Sequence, residues 1–317
     1  MHIDPYIVLA SAVVGLLVGM TGAGGGALMT PMLILLFGVK PTTAISSDLV
    51  AAVLMRPVGA SVHFGRGTVH RPLVKWLVIG SVPMAFLGAY LLHLMGNTKS
   101  SQSNIEMVLG VALLVGAGAM VLRYYLDSRG GHARIAGLHD IVAKPTPTLV
   151  VGMIGGVIVG MTSVGAGSLI IILLLFLYPT INAKQLVGTD LAQAVPLTLA
   201  AACGALIFGH VEFGLTTSLV LGAVPAVLVG SMFSSSAPDH YIRPVITFVI
   251  FASGLKYVGV GTEQLGWILV ATLLVSFIAW LVIKQPWRQP PEAEPETDAD
   301  LIDPPAKPSL ESAGTSA

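Results

Sequence analysis

The chain has 317 residues, of which 54% are hydrophobic and only 10% are charged, and its mean hydropathy is +0.85. Soluble domains carry about 25% charged residues, so this composition excludes an ordinary soluble protein and indicates an integral membrane protein. The formal net charge is zero, which gives no reason to expect a nucleic-acid partner. The single cysteine, Cys203, excludes a disulfide within the chain, and its position in an apolar run predicts a buried side chain.

Ten apolar runs follow one another in two sets of five. The first set covers residues 5–20, 27–39, 41–62, 73–96 and 105–122. The second covers residues 146–162, 164–178, 183–209, 213–234 and 243–260, and an additional run covers 264–283. A membrane-spanning helix needs about 20 residues. The two short runs that open each set are therefore predicted to be half-helices that meet inside the membrane, or short and tightly packed helices.

A glycine-rich stretch separates the two short runs in both sets. Residues 19–26 read Gly-Met-Thr-Gly-Ala-Gly-Gly-Gly, and residues 160–167 read Gly-Met-Thr-Ser-Val-Gly-Ala-Gly. At nearly the same spacing, Ser-Asp-Leu at 47–49 matches Thr-Asp-Leu at 189–191, and Gly-Ser-Val-Pro at 80–83 matches Gly-Ala-Val-Pro at 222–225. These motifs occur in the same order in both halves of the chain, which predicts an internal repeat.

The distribution of Lys and Arg favours one orientation of the repeats. If each set makes five crossings, the second repeat is inverted, twelve basic residues face the cytoplasm, and only Lys40, Lys99 and Lys256 lie outside. If each glycine-broken pair is a single crossing, the repeats are parallel and the charges divide almost evenly. Short cytoplasmic loops are enriched in Lys and Arg. We therefore predict inverted repeats, with the N-terminus outside and the C-terminus in the cytoplasm.

The predicted fold class is an all-α polytopic membrane protein with two inverted five-element repeats, glycine-broken short helices and one extra C-terminal helix. The predicted divisions are a first repeat at 1–123, a cytoplasmic linker at 124–145, a second repeat at 146–260, an extra helix at 261–284 and a disordered cytoplasmic tail at 285–317. Secondary transporters commonly combine inverted repeats with broken helices and bind substrate where the repeats meet.

The glycine-rich stretches have two competing explanations. Small residues allow helices to pack closely in membranes. Alternatively, glycine leaves backbone N–H groups accessible at half-helix ends, whose dipoles attract anions, while Thr21, Thr162 and Ser163 add hydroxyl donors. On the second explanation, the candidate substrate-binding residues are Thr21, Gly22, Gly24, Gly25, Gly26, Thr162, Ser163, Gly165 and Gly167.

No cofactor, metal site or enzymatic activity is expected. Residues 22–27 superficially fit the dinucleotide-binding pattern with its third glycine replaced by alanine. That pattern requires a preceding strand in a strand-helix-strand unit, whereas apolar runs flank it here. The histidines do not have zinc-ligand spacing, and the sequence contains no nucleophile elbow, phosphate loop or HExxH motif.

Two acidic residues, Asp48 and Asp190, lie near the start of matched apolar runs. A carboxylate within a membrane costs at least about 2.5 to 3.5 kcal/mol on insertion scales and marks a functional position. One hypothesis is that an aspartate exchanges a proton during transport. The alternative is a helix cap or a polar network between helices, assisted by Ser47 and Thr189.

Arg56 has no basic counterpart, since the matched position in the second repeat is Thr198. It follows Asp48 by about 12 Å along a helix, which disfavours a direct ion pair between the two. The guanidinium could therefore bind a substrate anion. Snorkelling to the membrane surface or pairing with another helix are the alternatives.

The sequence resembles the sulfite exporter TauE/SafE family, also described as the TSUP or DUF81 membrane permeases. The likeness covers roughly residues 5 to 283. It depends on residues 19–26 with Pro31 and Phe37-Gly38, on residues 160–168 with Tyr178-Pro179, on 189–191, and on residues 63–69 and 80–83. The chain departs from this pattern in having Ser46-Ser47-Asp48 where members often have Gly-Thr-Asp, and in its acidic tail.

This resemblance implies a permease that moves sulfite, a sulfonate or another organosulfur anion across the cytoplasmic membrane, with a small anion and the lipid bilayer as its partners. The alternative class is a membrane-embedded binding or assembly protein that carries out no transport. The duplicated polar break in an apolar chain favours transport.

Overall fold

The computed structural model describes residues 3–21, 25–64, 69–96, 99–129, 143–165, 167, 169–178, 181, 183–233 and 239–284. These residues form α-helices and no strand, which confirms the predicted all-helical class. The helices are α1 (Pro5–Thr21), α2 (Gly26–Phe37), α3 (Pro41–Phe64), α4 (Arg71–Met95), α5 (Lys99–Arg129), α6 (Pro145–Thr162), α7 (Leu169–Leu177), α8 (Ala183–Phe208), α9 (Phe213–Phe233), α10 (Asp239–Tyr257) and α11 (Thr262–Lys284). The chain divides into two units, Met1–Trp267 and Ile268–Ala317, and the candidate site belongs to the first.

Five of the described helical segments are long and apolar enough to cross a membrane. They are Arg71–Met95, Gln102–Leu122, Pro145–Thr162, Gly188–Phe208 and Phe213–Met232. Large apolar side chains cover the outer surfaces of several helices, including Leu36, Phe176, Ile207 and Met232, all of them exposed. Exposed apolar surface on this scale is typical of a face that contacts lipid or another protein, and together with the apolar segments it identifies a multi-pass membrane protein.

Both glycine-rich stretches interrupt the helices. The first helix of each repeat ends at a matched threonine, Thr21 in α1 and Thr162 in α6. Ser163 then adopts a left-handed conformation with φ 59°, and its N–H donates to the Val159 carbonyl at 2.8 Å. Gly165 and Gly167 have φ values of 111° and 101°, which residues with a side chain rarely adopt. For this reason α7 begins at Leu169, later than the apolar run at 164–178 predicts.

The first helix of each predicted repeat packs against the fourth helix of the other. Helix α1 packs on α9, and α6 packs on α4. A Cβ atom on Gly15 would lie 2.7 Å from the Ala223 carbonyl oxygen, and one on Gly156 would collide with the Ser81 carbonyl oxygen. In the sequence repeat, Gly156 corresponds to Gly15 and Ser81 corresponds to Ala223. Small residues thus allow close backbone contact at both interfaces.

Corresponding helices of the two repeats run antiparallel where they touch. Ser46, near the start of α3, lies against Gly209, which follows the end of α8. At the opposite end, the His70 N–H donates to Thr189 Oγ1 at 3.1 Å. Helices α5 and α10 also run antiparallel. Gly110 contacts Gly254, whereas Met120, later in α5, contacts Thr247, earlier in α10.

Two features differ from the expectations based on sequence. Cys203 is exposed, so the prediction that it is buried was wrong. It lies on α8, whose neighbouring residues Ala201, Ala202 and Ala205 occupy the packed face. Helix α5 also extends beyond the apolar run at 105–122 and ends at Arg129.

We predict that Gly156→Ala lowers the unfolding temperature, because its methyl group would meet the Ser81 backbone. Overpacking of this kind costs about 1–3 kcal/mol. The matched control is Gly118→Ala in α5, where an added Cβ meets no atom within 4 Å and helix propensity improves. Tryptophan fluorescence during heating of the detergent-purified protein measures both variants, and equal unfolding temperatures would contradict the close α4–α6 approach.

Candidate functional site

The two helix breaks contact one another near the middle of the first unit. A Cβ atom on Gly26, the first residue of α2, would overlap the Ser163 carbonyl oxygen and lie 2.7 Å from Ser163 Oγ. Glycine is therefore the only residue that fits at position 26 with this backbone. Since Ser163 ends α6, the contact joins the glycine-rich stretch of the first repeat to that of the second.

The N-terminus of α2 faces the middle of α3. Gly25 precedes the helix, and its carbonyl oxygen accepts from the N–H groups of Leu28 and Met29 at 3.1 and 2.9 Å. No side chain caps α2, and its first turn contains no acidic residue. A Cβ atom on Gly25 would lie 3.3 Å from Met55 Cε. The uncapped, partially positive end of α2 therefore lies next to the α3 turn that carries Arg56.

Asp48 of α3 is fully buried beside the contact between the breaks. Its Oδ2 atom accepts a hydrogen bond from Thr30 Oγ1 of α2 at 2.9 Å. The Ser163 hydroxyl lies close to the same carboxyl group, but the geometry falls short of a regular hydrogen bond. Asp48 Oδ1 and Ser163 Oγ are both buried and have no hydrogen-bond partner in the part of the chain that the structure describes. Helices α2, α3 and α6 thus converge on an incompletely paired carboxyl group.

Asp190, the matched residue of α8, has different neighbours. Its Oδ1 atom accepts from Gln193 Nε2 at 3.2 Å, and Gln193 Oε1 accepts from Ser81 Oγ of α4 at 3.3 Å. All three residues are buried. The first repeat lacks this network, since Ala51 occupies the position that corresponds to Gln193. The two aspartates therefore occupy matched positions in unequal surroundings.

Arg56 lies within electrostatic reach of both aspartates, Asp48 and Asp190. Its Nε and Nη1 atoms are buried and have no hydrogen-bond partner among the described residues. The guanidinium thus retains donors that a ligand could use. Two carboxyl groups and one guanidinium share this region.

Ser47 and Thr189, the hydroxyl residues that precede the aspartates, have a structural role in common. Ser47 Oγ accepts from the N–H of Glu212 at 3.2 Å, and Thr189 Oγ1 accepts from the N–H of His70. These two N–H groups immediately precede α9 and α4. Each hydroxyl therefore holds the start of the fourth helix of the opposite repeat.

The remaining candidates from sequence divide into three groups. The hydroxyls of Thr21 and Thr162 donate to Leu17 and Ile158 carbonyl oxygens of their own helices at 2.7 and 2.6 Å. Gly165 and Gly167 shape the turn before α7. Gly22 and Gly24 lie outside the described residues.

Sequence reasoning missed Thr30, Gln193 and Ser81. The sequence did contain a signal for Gln193, because it is a polar residue in an apolar run, three positions after Asp190, where helical side chains can meet. Thr30 gave no comparable signal, since its partner Asp48 lies on a different helix. Among the described residues, no group of three or more His, Cys, Asp or Glu side chains could hold a metal ion.

Comparison with known proteins identifies the family. The family model described as sulfite exporter TauE/SafE matches residues 7–257. The chain belongs to the sulfite exporter TauE/SafE family. The residues matched to TauE/SafE include both helix breaks, both aspartates and Arg56, and they end before α11.

Curated relatives of this TauE/SafE protein carry transporter names. The chain is 38% identical over 253 residues to the "Probable membrane transporter protein YjnA" of Bacillus subtilis (strain 168), covering 80% of this chain and 98% of the relative. It is 22% identical over 251 residues to YdhB of the same organism, covering 78% and 98%. It is 26% identical over 249 residues to a "Probable membrane transporter protein" of Xylella fastidiosa (strain Temecula1), covering 77% and 90%. No solved structure matches the chain significantly. The protein is therefore a membrane transporter.

We predict that Thr30→Val destabilises the protein, because it leaves Asp48 Oδ2 without its hydrogen bond from Thr30. An unsatisfied buried acceptor costs about 1–3 kcal/mol. Thr217→Val is the matched control, since the Thr217 hydroxyl donates only to the Phe213 carbonyl in an exposed hydrogen bond. Urea-dependent loss of tryptophan fluorescence compares the two variants, and a Thr30→Val protein as stable as Thr217→Val would argue against this bond.

Proposed function

We propose that this transporter is a secondary transporter that moves a small anion, namely sulfite, a sulfonate or a related organosulfur anion, across the cytoplasmic membrane. The observation that carries the proposal is Arg56, whose buried Nε and Nη1 atoms lack partners among the described residues. A guanidinium presents parallel N–H donors that match two oxygens of an oxyanion. A buried cation with unused donors favours an anionic ligand.

The N-terminus of α2 supplies a second feature that favours an anion. Its uncapped first turn lies beside the segment of α3 that contains Met55 and Arg56. Backbone N–H groups at a helix N-terminus bind anions without a fixed charge. Gly22 and Gly24 belong to the same proposed site. The choice of a sulfur oxyanion is supported by the description of the family, which names sulfite export.

We propose that the repeats are inverted in the membrane, with the N-terminus outside and the C-terminus in the cytoplasm. The antiparallel contacts of α3 with α8 and of α5 with α10 support this arrangement, as does the bias of basic residues. In such transporters, one repeat moves against the other and exposes the central site to each side in turn. Coupling of the anion to a proton is part of the same proposal.

Labelling of introduced cysteines tests the topology. In a Cys203→Ser background, we expect Glu212→Cys to react with a membrane-impermeant maleimide added to intact cells, and Arg71→Cys to react only after the cells are opened. Both residues are exposed and occupy matched loops of the two repeats. Parallel repeats would instead place both cysteines on one side, which would refute the inversion.

Flux into proteoliposomes tests the function. We expect uptake of labelled sulfite or methanesulfonate, and we expect Arg56→Lys to lower it about ten- to hundredfold, since a hydrogen bond to a charged group contributes about 1.5–3 kcal/mol. Lys256→Ala is the control, because Lys256 is exposed at the end of α10. Binding of these anions without flux would favour a membrane-embedded binding or assembly protein. Equal flux in Arg56→Lys and the unmodified protein would exclude Arg56 from the site.

A further inference from the structure

The charges around Arg56 do not balance. One guanidinium interacts with two buried carboxyl groups, Asp48 and Asp190. If both are ionised, one negative charge remains uncompensated, and burial of an uncompensated charge is costly. A monovalent anion bound at Arg56 would raise this excess to two negative charges. Anion binding therefore requires the arrival of a positive charge at the same site.

The surroundings of the aspartates differ in how well they stabilise an ionised carboxylate. Asp190 accepts a hydrogen bond from the Gln193 amide, whose oxygen in turn accepts from the Ser81 hydroxyl. Among the described residues, Asp48 accepts one regular hydrogen bond, from Thr30, and its Oδ1 atom is buried without a partner, as is Ser163 Oγ nearby. A proton on Oδ1 would neutralise this incompletely paired carboxyl group, and a small rotation of either side chain would then let it donate to the Ser163 hydroxyl.

The other elements packed around Asp48 bring no further cation to it among the described residues. Helix α2 contributes the Thr30 hydroxyl, and the end of α6 contributes Ser163. Helix α8 contributes Asp190, which acts through Arg56. At the start of α9, the Glu212 side chain is exposed while its backbone N–H bonds Ser47. A proton is the positive charge that the Asp48 carboxyl group, with the Thr30 and Ser163 hydroxyls beside it, can accept.

We infer that Asp48, and not Asp190, carries the coupling proton of this transporter, and that one proton binds at Asp48 for each monovalent anion that binds at Arg56. The proton comes from water on the side where the anion is taken up and leaves with the anion on the other side. The empty and loaded sites then carry the same charge, so one complete transport cycle moves no net charge. Asp190 is a positioning residue whose charge acts on Arg56. This inference rests on the proposed function, since it requires an anion at Arg56.

The position of Asp48 also explains how a proton could influence the helix breaks. The carboxyl group belongs to α3 of the first repeat, and Ser163 belongs to the second. A hydrogen bond from protonated Asp48 to Ser163 Oγ would join the repeats where Gly26 already contacts Ser163. Proton binding at Asp48 would therefore affect how closely the end of α6 lies to the start of α2, because both helices meet at Ser163.

Calorimetry of methanesulfonate binding, in buffers that differ in ionisation enthalpy, counts the protons taken up per anion. Methanesulfonate is suitable because its charge does not change with pH. We expect one proton in the unmodified protein and in Asp190→Glu, which keeps both negative charges, and none in Asp48→Asn. Because proton uptake is linked to anion binding, the apparent Kd for methanesulfonate rises tenfold per pH unit wherever Asp48 is ionised in the anion-free protein. The Kd of Asp48→Asn stays constant with pH.

Several outcomes would overturn the inference. No proton uptake by the unmodified protein would refute it even if Asp48→Asn did not fold. Retention of proton uptake in Asp48→Asn would assign the proton to Asp190. Binding that requires Na⁺ and takes up no proton would replace the proton by sodium. If no anion moved or bound in any experiment, the proposed function itself would fail, whereas transport without proton uptake would contradict only the inference.

Infrared spectroscopy provides a second readout that a merely structural role would not change. We expect the anion-bound protein to show a carboxylic-acid C=O band that is absent in Asp48→Asn and shifted in Asp48→Glu. The band should persist without a shift in Asp190→Glu. A band that shifts in Asp190→Glu and keeps its position in Asp48→Glu would contradict the assignment.

Discussion

The contact between Gly26 and Ser163 is the constraint on which the rest of the structure depends. The backbone at Ser163 approaches α2 so closely that position 26 has no room for a Cβ atom. This approach brings together the ends of two helices from different repeats, in a protein whose outer surface is largely apolar. Unpaired backbone groups are costly in lipid and are tolerated where protein or water surrounds them. The breaks therefore belong in the interior, and Asp48 of α3 lies beside their contact there.

The repeat builds a symmetric scaffold, and a few substitutions make its centre asymmetric. Small residues of α1 and α6 fit the backbones of α9 and α4 in matched pairs, and Ser47 and Thr189 hold matched helix starts. Within this frame, Arg56 corresponds to Thr198, and Gln193 to Ala51. The scaffold can keep its packing while the polar side chains at its centre differ. Such asymmetry allows both repeats to share an architecture while α3 of the first repeat carries both the proposed anion site and the proposed proton site.

Electrostatics in a buried site limits what this centre can bind. The energy of an ion pair rises as the surroundings become less polar, but so does the cost of each charge that lacks a partner. One guanidinium beside two carboxyl groups is therefore a site whose charge state must change with its ligand. The hydrogen bonds from Thr30 to Asp48 and from Gln193 to Asp190 make the two carboxyl groups inequivalent. The chemistry of the site thus depends on neighbours that differ between the repeats.

The sequence by itself determined the all-helical membrane class, the position of both breaks and the family, because apolar runs, glycine and matched motifs are local properties of the chain. It also identified Arg56 and the two aspartates as unusual, since charged residues are rare in apolar runs. Only the tertiary structure decided which groups meet. Thr30 reaches Asp48 from another helix, Ser81 joins the Asp190 network from α4, and Ser163 lies against Gly26 from the opposite repeat. It also decided that Cys203 is exposed and that α7 begins at Leu169. Side-chain direction and helix packing set these outcomes, because a helix face can turn toward protein or lipid without any change in its composition.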